Sequence, residues 1–155
     1  MALALLSACK KDKQEPASGQ RFGYYAIDTT RFNFTMASAS QFNSGYQLIG
    51  RQAPGDTLKE QMTVFFPGRP SEGVYEIVTH VGFLPPTGRV SMQLIRYPSN
   101  GSAVTYNSND GGQITVGRNG DKLTATWGSS SLTKNSIGSP GSAKIFKVSG
   151  MVREP

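Results

Sequence analysis

From residue 22 onward, apolar and polar residues alternate along short segments, and no segment has the 3.6-residue period of an amphipathic helix. The segments are rich in β-branched and aromatic residues, and Gly, Pro, Asn and Ser separate them. This pattern is typical of strands joined by turns. It predicts strands over residues 22–27, 31–37, 45–51, 60–66, 73–79, 89–97, 103–107, 113–118, 122–127 and 143–152.

Many short strands at this spacing predict one all-β domain over residues 21–155. We expect a mostly antiparallel β-sandwich of about 9–10 strands, immunoglobulin-like or jelly-roll-like, with no substantial helix. The 18 glycines and 9 prolines fit a turn-rich β protein. The chain has no fixed-period repeat, which argues against propellers and solenoids.

One hairpin can be predicted residue by residue. Asn119-Gly120 favours a type I′ turn, because both central positions of that turn need positive φ. That turn would pair Gly112 with Trp127, so the indole ring would cover glycine backbone. One face of the hairpin is then predicted to pack into the core, and it comprises Ile114, Val116, Leu123, Ala125 and Trp127. The other face is predicted to meet solvent, and it comprises Gln113, Thr115, Thr124 and Thr126.

The start of the chain has a different pattern. Residues 1–8 are uncharged and mostly apolar, and they end in small residues directly before Cys9, the only cysteine. This apolar stretch is too short to span a membrane, which takes about 20 residues. Small residues at its end suit cleavage by a signal peptidase. Residues 10–20 contain no large apolar side chain, which predicts a flexible tether.

The segment Leu6-Ser7-Ala8-Cys9 resembles the lipobox of bacterial lipoproteins, in which signal peptidase cuts before the cysteine and lipid is attached to its thiol. The resemblance implies that residues 1–8 are a partial lipoprotein signal peptide and that residues 9–20 are the lipidated Cys9 and its tether. Lys10-Lys11-Asp12 is similar to charged stretches linked to outer-membrane sorting in lipoproteins of the Bacteroidota. The alternative is a chance cysteine at a frayed N-terminus.

Later motifs extend the resemblance over most of the chain. Their order is similar to that in small Bacteroidota lipoproteins carrying a domain of unknown function: Gly73-Val74-Tyr75, Tyr106 with Ser108, residues 111–116, and Val148-Ser149-Gly150. The resemblance implies a cell-envelope protein, specifically an outer-membrane lipoprotein in the periplasmic or the surface-exposed leaflet. Its first partner would be the membrane, through the lipid on Cys9. The shared motifs are structural, so the family supplies no catalytic residues.

The formal net charge is +6, but the basic residues after Lys13 are scattered singly along the chain. Scattered charges of both signs indicate a solvated surface, and we expect no nucleic-acid partner. With one cysteine and one histidine, His80, the chain has no internal disulfide and no multi-histidine metal site. We therefore predict no metal and no cofactor.

Catalytic chemistry has little support in the sequence. A Ser-His-Asp triad would need His80, and no Gly-x-Ser-x-Gly motif accompanies it. A glycosidase needs two carboxylates, and Glu76 is the one carboxylate predicted in mid-strand. We predict no catalytic residue. A hydrolase that uses Glu76 or His80 in a concave pocket stays open as an alternative.

Tyrosines are the best candidates for binding, because sugar-binding β-sandwiches stack aromatic rings on sugar faces. The candidates for ligand binding are Tyr24, Tyr25, Tyr97, Tyr106, Asn107 and Asn109. Successive side chains of a strand point to opposite faces, so we expect Tyr24 or Tyr25 to face outward. The alternative is that these rings belong to the core. The apolar segment 81–86 either caps one end of the domain or forms an exposed contact patch.

The sequence thus favours a cell-envelope lipoprotein that binds or assembles with an envelope protein or polysaccharide without catalysing a reaction. A glycan-binding module is the first alternative, and its mark would be two exposed aromatic rings in a shallow groove. A hydrolase is the second alternative.

Overall fold

The computed structural model describes residues 22–54, 57–134 and 145–155. Cys9, the predicted signal segment and the tether lie outside the described residues. The described ranges contain eleven strands and no α-helix, so the all-β prediction is confirmed for them. The strands are β1 Gly23–Ile27, β2 Thr30–Asn33, β3 Met36–Phe42, β4 Gly45–Gln52, β5 Glu60–Phe66, β6 Gly73–Ile77, β7 Arg89–Arg96, β8 Val104–Ser108, β9 Gln113–Asn119, β10 Lys122–Lys134 and β11 Ile145–Arg153.

All eleven strands belong to one sheet, with the order β2-β1-β11-β10-β9-β6-β7-β5-β4-β3. Strand β8 pairs with both β7 and β10, and it closes β6, β7, β8, β10 and β9 into a five-strand ring. Strands β11, β1 and β2 extend from β10, and β5, β4 and β3 extend from β7. Only the β6–β7 pair is parallel among the described ladders, which confirms a mostly antiparallel sheet.

The closed ring with two extensions differs from the expected β-sandwich of about 9–10 strands. Its physical cause is the 13-residue strand β10, which is about twice as long as predicted. On one edge, β10 pairs first with β9, up to Trp127, and then with β8, from Leu132. The register of β10 against β11 shifts between Trp127 and Ser130, at the point where β10 changes from one neighbour to the other. Irregularities of this kind typically bend a strand. One strand therefore serves two neighbours and closes the ring.

The two extensions are linked to each other at their ends. Strands β2 and β3 form the two edges of the sheet, and only Phe34 and Thr35 connect them. The predicted strand 31–37 is therefore two strands. The Phe34 amide donates to the carbonyl of Gly23, and the Thr35 amide donates to the carbonyl of Arg51. The buried Phe34 ring lies against Gly50, where an added Cβ would come within 2.4 Å of ring carbon.

The β9–β10 hairpin has the predicted faces but a different register. Its turn is Gly120-Asp121, with Gly120 at φ 67°, and Asn119 pairs with Lys122. Glycine at the first central position is typical of a type II′ turn. The register is shifted by two residues from the prediction, which leaves every side chain on the same face. All five predicted core residues are accordingly buried: Ile114, Val116, Leu123, Ala125 and Trp127.

The predicted cover of Gly112 by Trp127 is wrong, because Trp127 pairs with Ile114 in the observed register. The indole covers a different glycine. Trp127 is the cross-strand partner of Gly150 in β11, where an added Cβ would lie 2.7 Å from Cζ2 of Trp127. The physical expectation that a large aromatic ring packs over glycine backbone therefore holds, but on the other neighbouring strand.

Candidate ligand-binding groove

The adjacent residues Tyr24 and Tyr25 face opposite sides of β1, as expected from strand geometry. Tyr25 is completely buried and belongs to the core, with its ring stacked on Phe32 at 4.8 Å between centroids. Tyr24 is half-buried, and the Arg31 guanidinium lies 3.6 Å from its ring centroid. Tyr25 is therefore closed to a ligand, and the accessible face of Tyr24 already carries a cation.

Tyr97 and Tyr106 line one open depression of about 440 Å³, together with Lys59, Glu60 and Arg96. We call this depression the tyrosine groove. The β7–β8 ladder creates it: Leu94 pairs with Tyr106, and Arg96 pairs with Val104 beside it. The Tyr97 amide then donates to the carbonyl of Lys59 at 2.8 Å, which fixes the chain after β7 against the start of β5.

An ion pair between the buried carboxylate of Glu60 and the partly exposed guanidinium of Arg96 forms one wall of the tyrosine groove. Nε and Nη2 of Arg96 lie 2.8 and 2.7 Å from Oε1 of Glu60, and the Tyr25 hydroxyl donates to Oε2. Burial raises the pKa of Glu60, while the charge and hydrogen bonds of Arg96 act in the opposite direction. Both carboxylate oxygens are occupied by side chains, so Glu60 is placed to orient Arg96.

Tyr106 joins the groove to the core. Its ring packs edge-on against Phe146, at 5.4 Å between centroids and an interplanar angle of 86°. It is half-buried, as is Tyr97. Each ring therefore has packed and accessible atoms, which is the arrangement that a stacking platform needs.

The candidate amides lie further along the chain and have protein partners. Oδ1 of Asn107 accepts a hydrogen bond from Gln93, and Nδ2 of Asn109 donates to Thr133 at 2.7 Å. Neither residue lines the groove. The structure thus brings together two of the six candidates, Tyr97 and Tyr106.

Glu76 lies in a second open depression, of about 660 Å³, together with Arg89, Asp110 and Gln113. Its carboxylate is two-thirds exposed and lies 3.4 Å from Nε of Arg89. Oδ1 of Asp110 accepts hydrogen bonds from the amide of Thr79 at 2.7 Å and from its hydroxyl at 3.1 Å. Two carboxylates share this depression, and each already has a partner.

His80 is buried outside these depressions. Its Nδ1 lies 2.9 Å from Oγ of Ser91, and its ring stacks on Phe65 at 4.6 Å. Burial lowers the pKa of His80, which favours the neutral ring.

In the described ranges, no group of three or more His, Cys, Asp and Glu side chains could hold a metal ion. No helix in those ranges could cross a membrane.

A second buried carboxylate belongs to Glu154, directly after β11. It accepts a hydrogen bond from the Tyr46 hydroxyl and another from the Leu123 amide at 2.7 Å. Burial, and then the bond to Glu154, raise the pKa of Tyr46 to about 12.

The sequence candidates did not include Glu60, Arg96 or Glu154. A charged residue at the boundary of an apolar strand was the available signal for Glu60.

The apolar segment 81–86 divides between its two predicted roles. Leu84 covers Gly45, where an added Cβ would lie 2.3 Å from Cδ2 of Leu84. Val81 and Phe83 are 66% and 78% exposed. The capping interpretation thus fits Leu84, and the exposed-patch interpretation fits its neighbours.

Comparison with protein-family models, curated proteins and solved structures finds no match to this chain.

Proposed function

We propose that this protein is a non-enzymatic cell-envelope lipoprotein whose β domain binds a polysaccharide in the tyrosine groove. One observation carries the proposal: Tyr97 and Tyr106 line the same open depression as Lys59, Arg96 and Glu60. Two accessible aromatic rings in a shallow groove are the mark expected of a glycan-binding module.

The chemistry of the groove suits a sugar chain. Sugar rings present C–H faces that pack on aromatic rings, and they present hydroxyl groups around the ring edge. Lys59 and Arg96 supply N–H donors for those hydroxyl groups, and Arg96 is held in place by Glu60. The groove is open at its surface, so a chain can lie along it without its ends being enclosed.

The groove is suited to binding without hydrolysis. Glycosidases place two carboxyl groups on either side of the scissile bond. Glu60 is the one carboxylate among the described residues lining the groove, and its oxygens are occupied by Arg96 and Tyr25. Bound sugar would therefore meet no free acid and base.

The groove is tested with the full chain carrying Cys9→Ser, so that lipid does not contribute to retention. Binding to a panel of envelope polysaccharides is measured by affinity electrophoresis and calorimetry. We expect Tyr97→Ala to weaken binding about tenfold, which corresponds to about 1.4 kcal/mol. Tyr24→Ala is the matched control, because its half-buried ring lies outside the groove. Equal binding by both variants, or no retained polysaccharide, would contradict the proposal.

The lipid anchor is a separate part of the proposal, supported by Leu6-Ser7-Ala8-Cys9. A lipidated cysteine would confine the domain to one surface and raise its effective concentration for a neighbouring ligand. Labelling of growing cells with a clickable fatty acid tests it. We expect label on the wild-type chain and none on Cys9→Ser. Absence of label on the wild-type chain would contradict the lipid anchor. It would leave the proposed binding of polysaccharide in the groove unaffected.

A hydrolase is the second candidate, because Glu76 and Asp110 share the larger depression. A carboxyl group that donates a proton at neutral pH must be withdrawn from water, whereas Glu76 is two-thirds exposed and paired with Arg89. Chromogenic glycosides and esters test this candidate. Turnover that is lost in Glu76→Gln would favour a hydrolase, and absence of turnover by the wild type would exclude it for those substrates.

A further inference from the structure

Strand β3 is an open edge of the sheet. Among the described residues it pairs with β4 and with no other strand, so one row of its backbone N–H and C=O groups is unpaired there. Natural proteins protect such edges with charged residues, proline, bulges or very short strands. The seven residues of β3, Met-Ala-Ser-Ala-Ser-Gln-Phe, include no charge and no proline. The opposite edge, β2, has four residues and carries Arg31.

The two ends of β3 carry exposed apolar side chains. Met36 is 51% exposed and Phe42 is 53% exposed. They lie six residues apart, so the two-residue period of a strand puts them on the same face, together with Ser38 and Ser40. Ala39 points to the other face and packs against the core. The exposed face of this edge thus has an apolar residue at each end and serines between them.

This arrangement is self-complementary. If two β3 strands pair antiparallel about Ala39, Met36 lies opposite Phe42 of the partner subunit, and Ser38 lies opposite Ser40 of the partner subunit. A two-fold axis makes each of these pairs occur twice. The register therefore covers both exposed apolar side chains on both copies, and it satisfies the unpaired backbone groups at the same time.

We propose that β3 is the self-association surface of this protein, and that two copies pair through it in this register to form one continuous sheet. The occupant is a second copy of the chain, because the chemistry of one half of β3 matches that of the other half. The edge lacks the charges that would select a different, oppositely charged partner. The inference does not depend on the tyrosine groove or on the lipid anchor.

Sedimentation velocity of the full chain carrying Cys9→Ser tests the proposal, since removal of the only cysteine excludes disulfide-linked dimers. We expect a monomer–dimer equilibrium that depends on concentration. Met36→Glu and Phe42→Lys should each raise the dimer Kd at least about tenfold, because each puts a charge opposite an apolar side chain twice per dimer. Phe83→Lys is the control, since it changes an exposed ring outside β3, more exposed than Phe42, and should leave the Kd unchanged.

Mixing the two charge variants tests the register itself. A Met36→Glu copy beside a Phe42→Lys copy has one Glu–Lys pair and one unchanged Met–Phe pair. The mixture should therefore dimerise more tightly than either variant alone. Circular dichroism and the unfolding midpoint check that each variant is folded, and Ser40→Lys is a further exposed disrupting change on the same face.

Three results would overturn the proposal. A wild-type chain that stays monomeric at every concentration would exclude self-association and leave the edge open to a segment of another protein. The dimer could keep its Kd in both charge variants, which would place the contact elsewhere. The mixture could be as weak as the separate variants, which would exclude this register.

Discussion

The hydroxyl of Tyr25 donates a hydrogen bond to Oε2 of Glu60, and this contact joins β1 to β5 across the core. Oε1 of the same carboxylate accepts from Arg96. Glu60 is 6% exposed, and buried polar groups are tolerated when their hydrogen bonds are satisfied. The tyrosine therefore contributes to holding Glu60, and through it Arg96, at the wall of the tyrosine groove.

We expect Tyr25→Phe to lower the free energy of unfolding by about 1–3 kcal/mol, because it leaves a buried carboxylate oxygen without its donor. Urea unfolding of the full chain at neutral pH measures the change. Tyr24→Phe is the control, since the neighbouring ring lies on the opposite face under Arg31. Its effect should stay within about 0.5 kcal/mol. Equal losses in the two variants would show that the Tyr25 hydroxyl does not support Glu60.

The raised pKa of Glu60 predicts that its contribution to the free energy of unfolding depends on pH. Burial is the main cause of the shift, so the folded chain keeps this proton at pH values above 4.5, where the unfolded chain has released it. The stabilisation is complete below 4.5 and is lost as pH rises through the pKa of the folded state. The contribution of Glu60 is isolated by comparing the unfolding free energies of the wild type and Glu60→Gln, from below pH 4.5 up through the pKa of the folded state. Their difference should fall with rising pH, and a constant difference would contradict the shift.

The lowered pKa of His80 predicts the opposite pH dependence of the free energy of unfolding. Burial lowers its pKa below 6.5, so the folded chain keeps the ring neutral at pH values where the unfolded chain has bound a proton. This stabilisation is present above pH 6.5 and is lost as pH falls through the pKa of the folded state. His80→Asn lacks the titrating ring, so it should lose less stability than the wild type on acidification. Thermal unfolding at stepped pH values measures this, and parallel curves for the two chains would exclude it.

The faces of the strands could be predicted from sequence because alternation depends only on the two-residue period. The β9–β10 hairpin shows how robust that signal is. A turn placed one residue away from its observed position shifts the register by two residues, and it still gave the correct face for Trp127 and Leu123. The register itself, and thus the glycine that Trp127 covers, depends on which turn type forms. Asn119-Gly120 and Gly120-Asp121 both fit a two-residue turn.

Ring closure and the groove could not be predicted in the same way, because they depend on contacts between distant residues. Strand β8 is recognisable as a strand, but its pairing with Leu132 is a tertiary contact that no local pattern specifies. Glu60 meets Tyr25 and Arg96, which are 35 and 36 positions away. Tyr97 and Tyr106 were candidates as aromatic residues, and only the β7–β8 ladder places them in one groove.

Gly150 provides the sharpest test of core packing. It lies in β11 between its cross-strand partners Tyr25 and Trp127. An added Cβ would come within 2.5 Å of the Tyr24 carbonyl oxygen and 2.7 Å of Cζ2 of Trp127. The first contact is with backbone, which cannot rotate away as a side chain can. We therefore expect Gly150→Ala to lower the free energy of unfolding by about 1–3 kcal/mol. A changed fluorescence spectrum of Trp127, the only tryptophan, should accompany the loss.

Gly117→Ala is the matched control for Gly150→Ala. Gly117 also lies within a strand, β9, but an added Cβ there would meet nothing within 4 Å. Because alanine loses less backbone entropy on folding than glycine does, Gly117→Ala should be neutral or should stabilise the chain by up to about 1 kcal/mol. Chemical unfolding of both variants, monitored by Trp127 fluorescence, separates the two cases. If Gly150→Ala were as stable as Gly117→Ala, β11 would not approach β1 and the indole as closely as described.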